Sequence, residues 1–287
     1  MTTRIAVLQM TAGIDPQANA ATIVGAVAEA AAGGAAMLFT PEMSGLLDRD
    51  RRRAAAHIVA EADNPVLAAV REAAARHGVW VALGSLAVLR EGDAEPGRWA
   101  NRSLVIDAAG AVAARYDKIH MFDVDLASGG SWRESSAYQP GAAVTVADTP
   151  LGRLGLTVCY DVRFPALFEE LGRAGCDAIA IPAAFTAPTG RAHWHVLQRA
   201  RAIEASAFVI AAAQAGHHSD GRETYGHSLV VDPWGEVLLD LGEGAGLGFA
   251  EIDHERIAQV RAELPSLANR RPIPKWTSDD RVRTRVP

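Results

Sequence analysis

Cysteine is nearly absent: the 287-residue chain has two, Cys159 and Cys176. So few thiols argue against a disulfide-stapled extracellular scaffold and for a reduced, cytoplasmic protein. Positive charge is not in excess either. A formal net charge of −6 argues against nucleic acid or an anionic membrane as the main partner. No apolar run approaches the roughly 18 residues that a membrane helix needs. The start, "MTTRIAVLQM", lacks the form of a secretory signal, with one Arg beside a run only long enough for a strand. No shift of composition divides the middle of the chain. What the chain does have is 49% hydrophobic and 22% charged residues, ample for a globular core.

The elements alternate. "RIAVLQM" reads as a strand over 4–10, and an Ala-rich helix follows over 19–32. A short apolar run over 35–42, helical stretches over 51–60 and 65–77, and a strand over 79–86 come next. Residues 90–99, polar with Gly and Pro, read as a surface loop. Three hairpins are expected in "SLVIDAAGAVAARYDK", "VTVADTPLGRLGLTVC" and "HSLVVDPWGEVLLDL", each turning at an Asp followed by Gly. Between the last two lie a helix over 165–174, a strand over 177–184, a helix over 192–206 and a strand over 207–214. A strand over 246–253 and a short helix to 263 close the body, defining one domain over 1–264. Alternating βα units combined with hairpins predict an α/β protein with mixed sheets and outer helices.

Three reactive side chains stand just past apolar runs. Glu42 ends "AAMLFTPE", Lys118 ends "AVAARYDK" and Cys159 ends "LGLTVC". Groups at the carboxyl ends of strands in open α/β sheets converge on one crevice. As a set they make coherent chemistry: a thiol nucleophile, a carboxylate to take its proton, and a fixed cation for a developing oxyanion, helped by the backbone N–H of Tyr160. Taken singly, each also fits an ordinary role, as a solvated charge or a small core residue. A redox thiol is a competing reading of Cys159, but the chain has no CxxC or clear resolving cysteine.

"FTPEMSG", "YDKIHMFDVD" and "GLTVCYDVRFP" resemble the Glu, Lys and Cys signatures of the nitrilase superfamily, the carbon–nitrogen hydrolases. "HWHVLQRARAIEASAFVIAAAQ" and "YGHSLVVDPWGEVL" are similar to later blocks of the same superfamily, so the likeness runs in order from 4 to about 264. The resemblance implies a four-layer αββα sandwich that dimerises through helices. It implies a cysteine thioester mechanism needing no cofactor, with Cys159 as nucleophile, Glu42 as general base and Lys118 as oxyanion-stabilising cation. A second glutamate ahead of a Pro-Gly is matched by Glu134 in "SWRESSAYQPG", although the stretch before it is slightly longer than the superfamily pattern.

Within the superfamily, "FTAPTGRAHWHVLQRARAIE" and "AAQAGHHSDGRETYGHSLVVDPWG" resemble the deaminated glutathione amidases most and the omega-amidases next. Both implied substrates are small acidic amides. A nitrilase acting on a carbon–nitrogen triple bond, using the same trio, is the rival. A silent family member that only binds a partner is disfavoured by the intact trio. For substrate contacts, Arg163 matches a carboxylate-binding position of related carbamoylases, with an ion pair to Asp161 or Glu169 as its other reading. Phe185 and Thr186 are expected at the pocket mouth, and His217, His218 and Arg222 on a loop reaching the substrate. No metal is expected: His193 and His195, two apart on a helix, do not face each other, and no carboxylate completes a set in sequence. The Pro- and Arg-rich tail from 265 to 287 is expected to be an arm docked on a partner subunit.

Overall fold

Along the first strand, Thr2–Gln9, residues Ile5 and Val7 face one way and Ala6 and Leu8 the other, and all four are buried. That period of two sets up four layers. The computed structural model describes residues 2–90, 98–126 and 130–275. One six-stranded sheet runs, edge to edge, Gly246–Asp253, Thr2–Gln9, Met37–Phe39, Trp80–Leu89, Trp99–Ile106, Val112–Asp117. The second runs Thr145–Thr149, Gly152–Leu156, Ala178–Ala180, Phe208–Ala211, Leu229–Val231, Val237–Asp240. Read in these directions, both sheets have the same pairing: antiparallel, parallel, parallel, antiparallel, antiparallel.

The sheets pack face to face through Ile5, Val7, Met37 and Phe39 of one and Leu154 and Leu156 of the other. Ala6, Leu8, Leu38 and Leu83 point outward, onto Ile23 and Val27 of the helix Pro16–Ala32 and Val66, Leu67 and Val70 of Pro65–His77. Both helices begin at a Pro behind an Asx cap: Asp15 accepts from the Gln17 N–H, and Asn64 from those of Val66 and Leu67. The helices Pro165–Arg173 and Ala187–Ala205 bury Phe168, Leu171, Trp194 and Ala202 against the second sheet. The layering is therefore the αββα sandwich that the resemblance implied.

All three hairpins form. Asp107 accepts from the N–H groups of Ala109 and Ala111, and Asp232 from those of Trp234 and Glu236. In the middle hairpin Thr149, not Asp148, caps the turn, accepting from the Leu151 N–H. Elsewhere the boundaries differ from expectation. Only Arg51–Ala55 of the 51–60 stretch is helical, and the helix expected from 192 begins at Ala187, with Pro188 in its first turn. The strands expected over 177–184 and 207–214 shorten to Ala178–Ala180 and Phe208–Ala211; beyond them Ala183 and Ala213 keep one isolated bridge, and Ala184 and Phe185 go on to line the site. Arg270 of the tail donates to the Glu169 and Glu204 carbonyls of its own chain. Residues 276–287, including Trp276 of the expected arm, and most of the 90–99 loop lie outside the described residues.

Candidate active site

Glu42 is delivered by the segment after Met37–Phe39, which crosses closely over the neighbouring strand. Gly84 allows that crossing, since a Cβ there would stand 2.0 Å from the Thr40 carbonyl oxygen. The Gly84 N–H in turn donates to Thr40 Oγ1 at 3.0 Å. Gln214, from the other sheet, donates to the Glu42 carbonyl at 3.0 Å. Lys118 follows Val112–Asp117, held by its N–H to the Asn101 carbonyl (2.9 Å) and its own carbonyl to the Gly141 N–H (2.8 Å). Cys159 opens a 3-10 turn, Cys159–Arg163, at the end of the strand Gly152–Leu156, and its backbone is left-handed at φ 49. Tyr160 has its N–H in the first turn of that segment, where no preceding helical carbonyl is placed to accept it.

The three groups meet out of water. Lys118 Nζ lies 3.0 Å from Glu42 Oε1 and 2.9 Å from Glu134 Oε2, and the Cys159 thiol lies close enough to both Glu42 and Lys118 to feel their charges. Glu42, Lys118 and Cys159 are each less than a tenth exposed. Glu42 Oε2 accepts from the Ala184 N–H at 2.8 Å, and Glu134 Oε2 from the Phe122 N–H at 2.7 Å. Burial alone would raise the Glu42 carboxyl, but the Lys118 charge and bonds from Cys159, Lys118 and Asn101 hold it below the carboxylate range. Burial would lower Lys118, yet Glu134 and Glu42 keep it well above its ordinary value. Burial, then the Glu42 charge, pushes the Cys159 thiol well up. The resting cluster is thus a thiol, a carboxylate and an ammonium, poised for proton transfer from sulfur to Glu42 as sulfur attacks.

These groups sit at the base of a cleft with a cavity volume of about 500 Å³. Residues 4–262 match the carbon–nitrogen hydrolase family. The chain belongs to that family. It is 42% identical over 269 residues to the deaminated glutathione amidase of Yersinia enterocolitica, covering 93% of this chain and 92% of that one. The Caenorhabditis elegans NitFhit protein superposes with a TM-score of 0.86 at 36% identity, over 94% of this chain and 65% of that one. An amidase from Nesterenkonia sp. AN1, 29% identical, superposes with a TM-score of 0.75 over 92% of this chain and 98% of that one. A mutant of that amidase carries acrylamide added to its active-site cysteine.

In this carbon–nitrogen hydrolase, Arg163, Phe185, Thr186 and Arg222 line the cleft, as the sequence suggests. Neither reading of Arg163 as an ion pair survives. Asp161 is fully buried and accepts from Tyr116 Oη (2.7 Å) and the backbone of His120 and Val158 (3.0 and 2.9 Å). Glu169 pairs instead with Arg173 at 2.7 Å. Arg163 lies over the Phe185 ring at 5.2 Å, with His193 Nδ1 3.3 Å from its Nη1. Arg222 is tied to Asp220 at 2.6 Å and lies 5.8 Å from the Trp132 ring. His217 and His218 are not among the cleft-lining residues. The loop folds the His218 ring inward, between the Ala12 carbonyl (2.8 Å) and Thr224 Oγ1 (2.7 Å), and burial holds it below its ordinary range.

Asn101 escapes sequence reasoning altogether. Its Nδ2 donates to Glu42 Oε1 at 2.9 Å and to Glu134 Oε1 at 3.2 Å, bridging the two carboxylates beside Lys118. Nothing in "WANRS" marks it, because an Asn inside a strand carries no motif. Arg49, Arg51 and Arg133 also line the cleft unforeseen, on a loop, at the start of the helix Arg51–Ala55 and on a small hairpin formed by Asp123–Leu126 and Gly130–Arg133.

Proposed function

We propose that this hydrolase cleaves the amide of deaminated glutathione, releasing 2-oxoglutarate and Cys-Gly. The carrying observation is the dry cluster that buries the Cys159 thiol with the Glu42 carboxylate and the Lys118 ammonium. Sulfur attacks the amide carbon as Glu42 takes its proton. Lys118 and the Tyr160 N–H meet the oxyanion. Glu42 then protonates the leaving nitrogen, the carbon–nitrogen bond breaks, and a thioester to Cys159 remains. A water, deprotonated by Glu42, attacks the thioester and releases the acid, and the proton returns to sulfur. Glu134 and Asn101 keep Lys118 and Glu42 in register throughout.

The substrate reading rests on the cleft as well as on the named relative. Arg49 and Arg163 both line it, and neither has an ion-pair partner among the described residues. Deaminated glutathione carries a carboxylate at each end, so two free guanidiniums suit it. The smaller 2-oxoglutaramate, an omega-amidase substrate, has one carboxylate beyond the amide. The chain is further proposed to act in the cytoplasm as a homodimer joined through helices. Val196 and Ile203, two turns apart on Ala187–Ala205 and both exposed, support a helix face that packs on a second copy. No helix among the described residues is long and apolar enough to cross a membrane.

The test is 2-oxoglutarate release from deaminated glutathione and from 2-oxoglutaramate, with Cys159→Ala beside the native enzyme. Higher kcat/KM on the first, abolished in the variant by about 10⁴-fold or more, is expected. Preference for the second would make this an omega-amidase, and turnover by the variant would remove the thiol from the mechanism.

A further inference from the structure

A second constellation lies outside the cleft. His195 comes from the helix Ala187–Ala205, His227 from the turn before the strand Leu229–Val231, and Asp240 from the end of Val237–Asp240. His195 Nε2 stands 3.0 Å from Asp240 Oδ2, and His227 Nδ1 stands 3.1 Å from the same oxygen and 2.9 Å from Oδ1. One ligand atom from each residue falls within 4.8 Å of the other two. None of the three lines the cleft, and none has a part in the amide chemistry.

We propose that His195, His227 and Asp240 bind one divalent transition-metal ion of the imidazole-favouring class: zinc, cobalt or nickel. Two imidazole nitrogens and one carboxylate are the donor set that such ions prefer. Bonds of about 2.0–2.1 Å in tetrahedral array hold ligand atoms about 3.3 Å apart. The carboxylate contacts are therefore already within a few tenths of an ångström of that spacing. Only the two imidazoles need to draw together. His195 and Asp240 are each about one-third exposed, so an ion has a path in and water can complete its coordination.

The surroundings hold the ligands in place before any ion arrives. His227 has left-handed backbone at φ 53, fixed by its N–H to the Gly242 carbonyl (2.6 Å) and by the buried Trp194 indole, which donates to its carbonyl (2.7 Å). Its ring stacks on Tyr225 with centroids 4.4 Å apart. Asp240 Oδ1 also accepts from the Gly242 N–H at 2.9 Å, the kind of outer contact that orients a ligating carboxylate.

The sequence conceals this set because Asp240 lies 45 residues beyond His195. The neighbour that a motif scan would choose, His193, faces Arg163 instead. A bound ion would bolt the helix to the hairpin directly behind the cleft wall. Pro188 and Thr189 of that helix, and Glu223 and Thr224 of the short strand Glu223–Tyr225, line the cleft.

The test uses full-length, metal-stripped protein carrying Cys159→Ala, so that the catalytic thiol cannot take the ion. Titration with Co²⁺ is expected to load one ion per chain, with the visible absorption of four- or five-coordinate cobalt, and Zn²⁺ is expected to displace it. In the same background, Asp240→Asn and His195→Ala should each weaken binding at least about tenfold. Without metal, both should melt within a few degrees of the parent. Zn²⁺ should raise the melting temperature of the parent and of neither variant. No Co²⁺ bound at about 1 mM, or equal binding by all three proteins, would overturn the site and leave a plain His–Asp–His hydrogen-bond network.

Discussion

At the scale of single residues the cluster makes demands that isolated groups do not. Lys118 stands between two buried carboxylates, so Lys118→Met removes the oxyanion cation and strands Glu42 and Glu134 together. We expect kcat to fall about 10²–10³-fold and the fold to lose about 3–5 kcal/mol, read by steady-state kinetics and urea unfolding. Unchanged activity would remove Lys118 from the oxyanion role. The pH profile follows from the same geometry. Glu42 is held below its ordinary 4.5 and Cys159 above its ordinary 9.0, so the site does not titrate between those values. The kcat/KM profile should be flat there and fall only as Glu42 takes a proton in acid. A limb near pH 6.5 would assign the base to a histidine instead. In stability the sign is the same: a lowered carboxyl contributes above its unfolded pKa, and that contribution is lost as pH falls through the folded one. The three site residues were legible because each follows an apolar run, and a further signal lay in composition. The chain takes nearly all its positive charge from arginine, and Lys118 is one of two lysines. Asn101 was not legible, because its importance lies in two contacts that only the folded sheets create.

At the scale of elements, Asp161 is the knot between the turn that carries Cys159 and the segment that carries Lys118. Tyr116 and His120, flanking Lys118, both donate to it, as does the N–H of Val158 just before the nucleophile. Asp161→Asn keeps the shape but turns one acceptor into a donor facing other donors. We expect kcat to drop about tenfold or more with KM little changed, since the cleft arginines are untouched. A change confined to KM would mean that Asp161 serves substrate binding. Hairpins and long helices were readable from Asp, Thr, Gly and Pro at their ends. The short strands Ala178–Ala180 and Phe208–Ala211 were overread, because their apolar runs continue past the regular ladder, where only the single bridge between Ala183 and Ala213 remains. The small hairpin beside the cleft was missed because its strands are only four residues long, too short for the alternation in "DVDL" to stand out.

At the scale of the molecule, the exposed Val196 and Ile203 give the proposed homodimer a sharp test. Val196→Glu with Ile203→Glu should convert a dimer to a monomer in sedimentation velocity, with secondary structure retained. A native chain that sediments as a monomer at micromolar concentration would sink the dimer. Sequence blocks in order sufficed for the layered fold, yet no linear pattern discloses that the two sheets share one pairing scheme. Asn101 lies in the first sheet, Glu42 and Lys118 follow strands of it, and Cys159 follows a strand of the second, so the site is divided between them. During synthesis the base and the cation leave the ribosome well before the thiol does. The last strand of the first sheet, Gly246–Asp253, emerges only near the end. The cysteine therefore gains its base and its cation only when the two sheets close on each other, and until then it is an ordinary thiol.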